Sequence, residues 1–475
     1  MHRFRCVNCA SPSESSSLSP SCPRCGSAVV FESVPGPAVK RSELEALPAG
    51  VWRYKAFLPA VDPELVVTLG EGGTPLLPAE RLGRELGLRS LLIKDESRNP
   101  TGSFMDRGVT VLISLARERG IKECTCVTTG NLGASLAAYC AKAGVDSRVM
   151  VHPNTDQGKL YQMLAYGAEV TTASARPERR SAARSLAVTA GNPFLLEGEK
   201  TTAFEIIQDL QWSPPDVIVV PVGTGGHLSM IWQAVTQLQD AGLANNSRCS
   251  LIGVQVEGRV ESARRVGGAS RPSRGASLAE LEDSEPYFHV EAARAIKDSH
   301  GALISTTEAE TLAATGLLAR TEGIFAESAS ASVIASIEAA VHNGTIQRDQ
   351  TVVCVVTGAG LKDPRSVSRV VRETRRAAIA TPYVVPVSQI GGTKLALLRL
   401  LSRGPGYGYE MWRRISLERA ITTASVYQHL EELETLGLLR RTGTVAARGR
   451  ERVVYELTKR GTDVLKMATT LGEGT

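Results

Sequence analysis

Between residues 65 and 375 the chain repeats one pattern: a short apolar run, a turn, then a stretch with helical spacing. Residues 90–93, 124–128, 148–152, 217–222 and 351–356 are the clearest of the apolar runs. A strand with one wet face alternates apolar and polar residues. These runs are largely apolar throughout, as strands covered on both faces are. Strands that alternate with helices imply an α/β fold built on open, mostly parallel sheets. Three of the runs lead directly into glycine-containing turns, and ligands in open α/β sheets bind at that carboxyl end.

At 475 residues the chain exceeds one ordinary compact core, so two or three domains are expected. A hydrophobic content of 43% with 22% charged residues is that of a soluble globular protein. No apolar run reaches the roughly 18 residues of a membrane span. The opening Met1-His2-Arg3-Phe4-Arg5-Cys6 has basic residues but no apolar segment behind them, so a cytoplasmic protein without a secretory signal is expected. The net charge of +5 is small for this length. Its distribution is uneven, because residues 439–460 carry many arginines and few acids, an imbalance suited to phosphates.

Four of the nine cysteines form two close pairs, Cys6-x-x-Cys9 and Cys22-x-x-Cys25. Two such pairs can wrap one tetrahedral ion with a thiolate at every corner, leaving no open position for catalysis. One structural zinc in a ribbon or knuckle over residues 1–30 is therefore expected. Disulfide pairing is the alternative, disfavoured by a reducing compartment. Cys124, Cys126, Cys140, Cys249 and Cys354 stand mostly in apolar segments and read as small buried hydrophobes.

Gly223-Thr224-Gly225-Gly226 joins an apolar strand to a helix that starts near His227. Glycines let successive amides turn toward one point and the helix start adds positive potential, so a phosphate is the natural guest. Four other segments belong with this loop. Gly70-Glu71-Gly72-Gly73-Thr74-Pro75-Leu76 comes first. Lys94-Asp95-Glu96 follows, with Asn99-Pro100-Thr101-Gly102-Ser103-Phe104-Met105-Asp106-Arg107-Gly108 behind it. Then come Thr128-Thr129-Gly130-Asn131-Leu132-Gly133-Ala134-Ser135 and, last, Thr357-Gly358-Ala359-Gly360-Leu361-Lys362-Asp363-Pro364. In this order, over about 65–370, they resemble the threonine synthase family, fold type II enzymes that use pyridoxal 5′-phosphate (PLP).

The resemblance implies a two-lobed PLP-binding domain over 31–376. Gly223, Thr224, Gly225, Gly226 and His227 would hold the cofactor phosphate. Asn131 would meet the ring hydroxyl, Thr357 the pyridine nitrogen, and Phe104 the ring's surroundings. Thr74, Asn99, Ser103, Arg107, Lys159 and Glu327 would stand on the substrate side, with Arg107 or Lys159 reaching a substrate phosphate. Each also has a plain structural role open to it, such as a turn asparagine at Asn131 or a strand-end threonine at Thr357.

One position departs from the family. The lysine that condenses with the PLP aldehyde to a Schiff base is expected after Ser103-Phe104, and here that residue is Met105. A thioether has no amine to condense and no proton to move. Losing the proton-transfer role alone costs on the order of 10²–10⁴ in rate. Lys94, eleven residues upstream at a strand end, has no evident route to the aldehyde. PLP, if held, would be held noncovalently.

Beyond a linker at 377–390 the pattern changes. Helical stretches at 394–402, 407–415 and 422–436 precede two strands, 439–442 and 452–457, and a last helix from Thr458. Gly404-Pro405-Gly406-Tyr407-Gly408-Tyr409-Glu410-Met411 and Thr422-Thr423-Ala424-Ser425-Val426-Tyr427-Gln428-His429-Leu430 resemble PadR-type winged-helix regulators, over about 390–465 of a module at 391–475. The resemblance implies a recognition helix that offers Thr423, Ser425, Gln428 and His429 to base edges. It also implies a wing that offers Arg448, Arg450 and Arg452 to phosphates. A small dimerisation domain is the alternative.

These features lead to a cytoplasmic, dimeric, ligand-responsive regulator of double-stranded DNA whose PLP-binding domain senses an amino acid or phospho-amino acid. The rival is an enzyme, a threonine synthase that makes threonine and phosphate from O-phosphohomoserine. A scaffold that binds only another protein is the third reading.

Overall fold

The computed structural model describes residues 2–32, 38–128, 130–152, 155–172, 184–256, 288–377, 391–417, 421–447 and 450–472. The chain divides into two compact units, Met1–Val371 and Arg372–Thr475. All but the first residue of the expected linker lies outside the described residues.

The first unit starts with a small antiparallel sheet: β1 (His2–Cys6), flanked by β2 (Pro12–Ser15) and β3 (Val29–Phe31). The chain then enters a large sheet through β4 (Leu76–Pro78) and β5 (Ser90–Asp95). Helix α1 (Met105–Glu118) carries it to a second sheet formed by β6 (Glu123–Thr128), β7 (Asp146–Val151), β8 (Glu169–Thr172) and β9 (Ser185–Val188). Helices α2 (Asn131–Ala143) and α3 (Gln157–Ala165) lie between these strands in sequence. After α4 (Pro193–Glu199) and α5 (Thr201–Asp209) the chain returns to the large sheet as β10 (Val217–Pro221). Helix α6 (Gly226–Asp240), β11 (Ser250–Val256), α7 (His289–Asp298), β12 (Ala302–Thr306), α8 (Ser328–His342) and β13 (Thr351–Val356) follow.

The large sheet runs β12-β11-β10-β13-β5-β4, parallel except at the β4 edge, and the second runs β8-β7-β6-β9, parallel throughout. The apolar runs explain the layering. Val217 and Val219 face one buried cluster with Val352, Cys354 and Val356, while Ile218 and Val220 face another with Val353 and Val355. Alternate side chains of each strand thus bury into opposite layers, which is why these strands lack polar alternation. The five cysteines outside the two pairs are all buried.

In the second unit, α9 (Gly392–Leu401), α10 (Gly408–Ile415) and α11 (Thr423–Thr435) pack with α12 (Lys459–Gly472). Their sheet runs β14 (Gly406–Tyr407), β16 (Arg450–Leu457), β15 (Leu439–Ala447), all antiparallel. Val426, Leu430, Leu433 and Leu438 are buried in its core with Leu397, Leu398 and Leu401. Leu436 is only partly buried. Thr422 caps α11 by accepting from the Ser425 amide, as a hydroxyl residue before an apolar period should. Among the described residues no helix is long and apolar enough to cross a membrane.

Candidate functional site

The stretch that precedes Met105 is zipped to the end of β13. Phe104 N donates to Thr357 O at 3.0 Å, Ala359 N to Gly102 O at 2.9 Å, and Ser103 bridges to Gly358. Ser103 Oγ accepts from Met105 N at 3.2 Å, satisfying one of the free amides at the start of α1. Met105 therefore opens a helix at a fixed point, half-buried, with its thioether against the core of the second lobe.

Around that point several expected residues converge. Glu327, the residue before α8, is buried and accepts from Asn131 Nδ2 at 3.0 and 3.2 Å, joining the two lobes across the cleft. Lys159 Nζ lies 3.4 Å from Glu327 Oε2, and Thr357 Oγ1 lies 2.7 Å from Ser330 Oγ. Phe104 stacks on His227 with centroids 4.3 Å apart and planes 16° from parallel. His227 Nε2 meets Thr202 Oγ1 at 3.2 Å, whereas its buried Nδ1 has no partner. Burial pushes the imidazole pKa down to about 3, so the ring stays neutral.

Gly225 holds φ +89°, and Cβ atoms at Gly225 and Gly226 would lie 2.9 Å from Phe288 O and 2.7 Å from Leu196 Cδ2. Only glycine fits at 225, and a side chain at 226 would have to displace that of Leu196. The resulting turn aims the start of α6 at the cleft, and the start of α2 at Asn131 adds a second positive helix end. A neutral buried ring with an orphan nitrogen, a glycine turn on a helix start and a strand-end hydroxyl suit a phosphorylated aromatic ring. The residues present fit PLP.

Three residues expected on the substrate side belong elsewhere. Arg107 is wholly buried and donates to Glu96 at 2.5 and 2.8 Å, Glu205 at 2.8 and 2.7 Å, Thr201 Oγ1 at 3.0 Å and Thr74 Oγ1 at 3.0 Å. Its guanidinium is fully used, so it cannot also take a substrate phosphate. Thr74 Oγ1 donates to Glu96 at 2.7 Å, and Asn99 spends its amide between Gly72 N at 2.9 Å and Glu96 Oε2 at 2.8 Å. Burial opposes the charge on Glu205, yet Arg107 and Lys94 hold its carboxyl well below the usual range. Lys94 Nζ donates to Thr74 O at 2.7 Å, sits 2.9 Å from Glu205, and is likewise wholly buried. Its ammonium is committed to this network.

Ser330, Thr202 and Glu205 escaped the sequence reading. Ser330 links Gly358 N (2.8 Å) to Thr357, but it sits in a run of small residues with nothing to distinguish it. Glu205 lies between Phe204 and Ile206 on a buried face, and a lone acid in an apolar stretch was the only available sign.

The four paired cysteines come together: Cys6 Sγ–Cys25 Sγ 3.5 Å, Cys9 Sγ–Cys22 Sγ 3.6 Å, and all four sulfurs within 4.8 Å of one another. Tetrahedral zinc with bonds near 2.3 Å sets its thiolates about 3.8 Å apart. The amides of Asn8 and Cys9 point at Cys6 Sγ at 3.4 Å, as amides around a bound thiolate do. The cluster fits zinc.

In the second unit, Thr423 and Ser425 occupy the start of α11. Gln428 and His429 face Glu432 one turn on, at 3.1 and 3.4 Å, and Lys394 joins the same carboxylate at 2.9 Å. Arg452, expected to reach a phosphate, lies over the rings of Tyr409 (4.6 Å) and Tyr407 (5.8 Å), faces that attract a guanidinium. Arg448 and the Arg450 side chain lie outside the described residues.

Comparison with known proteins agrees with this architecture. The pattern of the family "Pyridoxal-phosphate dependent enzyme" matches residues 67–358, and that of "Transcriptional regulator PadR-like family" matches 397–467. Threonine synthase of Methanocaldococcus jannaschii is 38% identical over 70% of this chain and 86% of its own length. That of Mycobacterium tuberculosis is 37% identical over 67% and 89%. Among solved structures, the processed form of threonine deaminase isoform 2 from Solanum lycopersicum aligns with a TM-score of 0.52 at 20% identity, covering 72% of this chain and 98% of that one. Maize serine racemase aligns at 0.51 and 16%, covering 64% and 94%, so the fold is that of the fold type II PLP enzymes. The chain belongs to the pyridoxal-phosphate-dependent enzyme family, among homologues of threonine synthase, and carries a PadR-like domain at its C-terminal end.

Proposed function

We propose that the first unit binds PLP without a covalent bond and senses an amino acid or phospho-amino acid, and that the PadR-like unit binds double-stranded DNA in response. One observation carries this reading: the residue that opens α1 beside the cleft is Met105, while the glycine turn, Asn131, His227 and Thr357 around it are intact. A pocket drifting without use would not keep so many polar groups in register. When bound, PLP would draw electrons from a carbon that bears an amino group.

The chain's own groups would receive it. The amides of Gly223–Gly226 and the start of α6 would take the phosphate, Asn131 the ring hydroxyl, and Thr357, oriented by Ser330, the ring nitrogen. Phe104 and His227 would wall the ring from water, and Lys159 with Glu327 would face the ligand. Nothing at Met105 can hold or return a proton, so recognition would proceed without turnover. The molecule would act in the cytoplasm as a homodimer, since paired half-sites need paired recognition helices, with one zinc in the four-cysteine knuckle.

The test is spectroscopic. Protein saturated with PLP should lose its colour on exhaustive dialysis and show no borohydride-fixed lysine, whereas Met105→Lys should gain one. A fixed adduct on the unaltered chain would defeat the proposal. The second reading, conversion of O-phosphohomoserine to threonine and phosphate, draws support from the threonine synthase relatives and from Lys159 beside Glu327. Phosphate release by the unaltered chain at a rate near that of Met105→Lys would favour it.

A further inference from the structure

The four-cysteine knuckle is not a free appendage. Its three strands hold five, four and three residues, too few to bury a core alone. Val7, inside the first cysteine pair, and Val30, just after the second, share one buried cluster with Leu196 of α4, Met230 of α6 and Phe288. These partners are the residues that hold the phosphate turn. Leu196 and Phe288 limit the space at Gly226 and Gly225, and Phe288 N donates to Thr224 O at 3.1 Å.

Three further ties run the same way. Arg5 forks onto Glu291 of α7 at 3.1 and 2.9 Å, fixing the helix that Phe288 begins. His2 and Phe31 pack edge-on against Phe194 of α4, each at 5.1 Å. Asn192, the cap of α4, donates to Leu18 O at 2.7 Å. A side chain of the metal loop thus lies one residue layer from the turn that would receive the cofactor phosphate.

We propose that the knuckle is a buttress for that turn: a zinc-class divalent ion held by Cys6, Cys9, Cys22 and Cys25 presses Val7 and Val30 onto Leu196 and Phe288, and so keeps 223–226 shaped for a phosphate ester. The residues so assigned, Val7, Val30 and Arg5, are positioning residues that never touch the ligand. This inference rests on the cofactor reading above only for the identity of the phosphate ester.

The test uses the full chain, stripped of metal by chelation and then restored with Zn²⁺. Two readouts are taken: amide hydrogen exchange across 223–227 without ligand, and titration with PLP and with pyridoxal, the same ring without phosphate. Stripping should speed exchange in the turn and weaken PLP about tenfold. Pyridoxal affinity should stay within about twofold, and Zn²⁺ should reverse both changes. Arg5→Ala, which keeps every cysteine, should give a smaller change of the same kind in the zinc-loaded protein. It carries the test should stripped protein unfold.

Unchanged exchange in the turn would overturn the buttress. So would an equal loss of PLP and pyridoxal, the mark of general loosening. Zinc-loaded protein that binds no PLP would overturn the cofactor reading instead, leaving the exchange result to judge the buttress.

Discussion

Two buried polar clusters lie close together in the first unit, and they differ in how completely they are satisfied. The three guanidinium nitrogens of Arg107 meet Glu96, Glu205, Thr74 and Thr201, and Lys94 closes the remaining side of Glu205. In the cleft, His227 Nδ1 is buried without a partner. A native core rarely leaves such atoms unpaired, because an orphan donor or acceptor costs about 1–3 kcal/mol. The first cluster is complete in itself and builds structure; the second leaves a buried nitrogen unmatched by the protein, as the proposed ligand site would. Both include carboxylates and basic groups, so composition alone does not separate a scaffold from a site.

The largest test of this contrast is Arg107→Leu. Removing the guanidinium strands two buried carboxylates, and breaking such a cluster costs about 3–5 kcal/mol. Denaturant unfolding of the variant should show a loss of that size, or the protein should fail to fold. A loss below about 1 kcal/mol would mean the network is not the scaffold described.

Acid gives the next effect. Glu205 and Glu96 have folded-state values held below ordinary carboxylates, through Arg107 and against the pull of burial. Their contribution is thus complete above the unfolded value near 4.3 and is lost as pH falls through the folded one. The free energy of unfolding should drop steeply below about pH 5, and the drop should shrink in any folded Arg107 variant.

His227→Phe examines the open cluster. The stack on Phe104 survives, while the orphan nitrogen and the bond from Nε2 to Thr202 Oγ1 go together, changes of opposite sign in stability. Stability should change by less than about 1 kcal/mol, while PLP affinity, read by absorbance titration, falls about tenfold. Equal losses in both would erase the distinction between the clusters.

Glu199→Gln should have the smallest effect in mild acid. Burial alone raises the Glu199 carboxyl well above its ordinary range, and its Oε1 has no partner. Its contribution to stability is present below the unfolded value and is lost as pH rises through the folded one. The variant should match the parent within about 0.5 kcal/mol in mild acid and be the more stable of the two in alkali, read from unfolding curves at several pH values.

Much of the fold was legible because it rests on local rules. The strand at 351–356 was marked to the residue by its apolar run, and the helix after Gly225 by the glycine turn. The cysteine pairs announced a tetrahedral cluster because their spacing allows little else. Arg107 was misread because its neighbours in sequence are cleft residues. Its partner Glu205 lies 98 positions further on, and only folding brings the two within 2.7 Å. Arg452 shows a related limit: its place over the ring of Tyr409, on a different element, has no sign in the local sequence.

The zip between 102–104 and 357–359 uses main-chain atoms alone, so the position that opens α1 is set whatever side chain stands there. Methionine and lysine have unbranched side chains of nearly equal reach, and a single base change converts one codon into the other. On the reading proposed above, silence at this site would be cheap to reverse: the scaffold keeps its aim, and one replication error would rearm it.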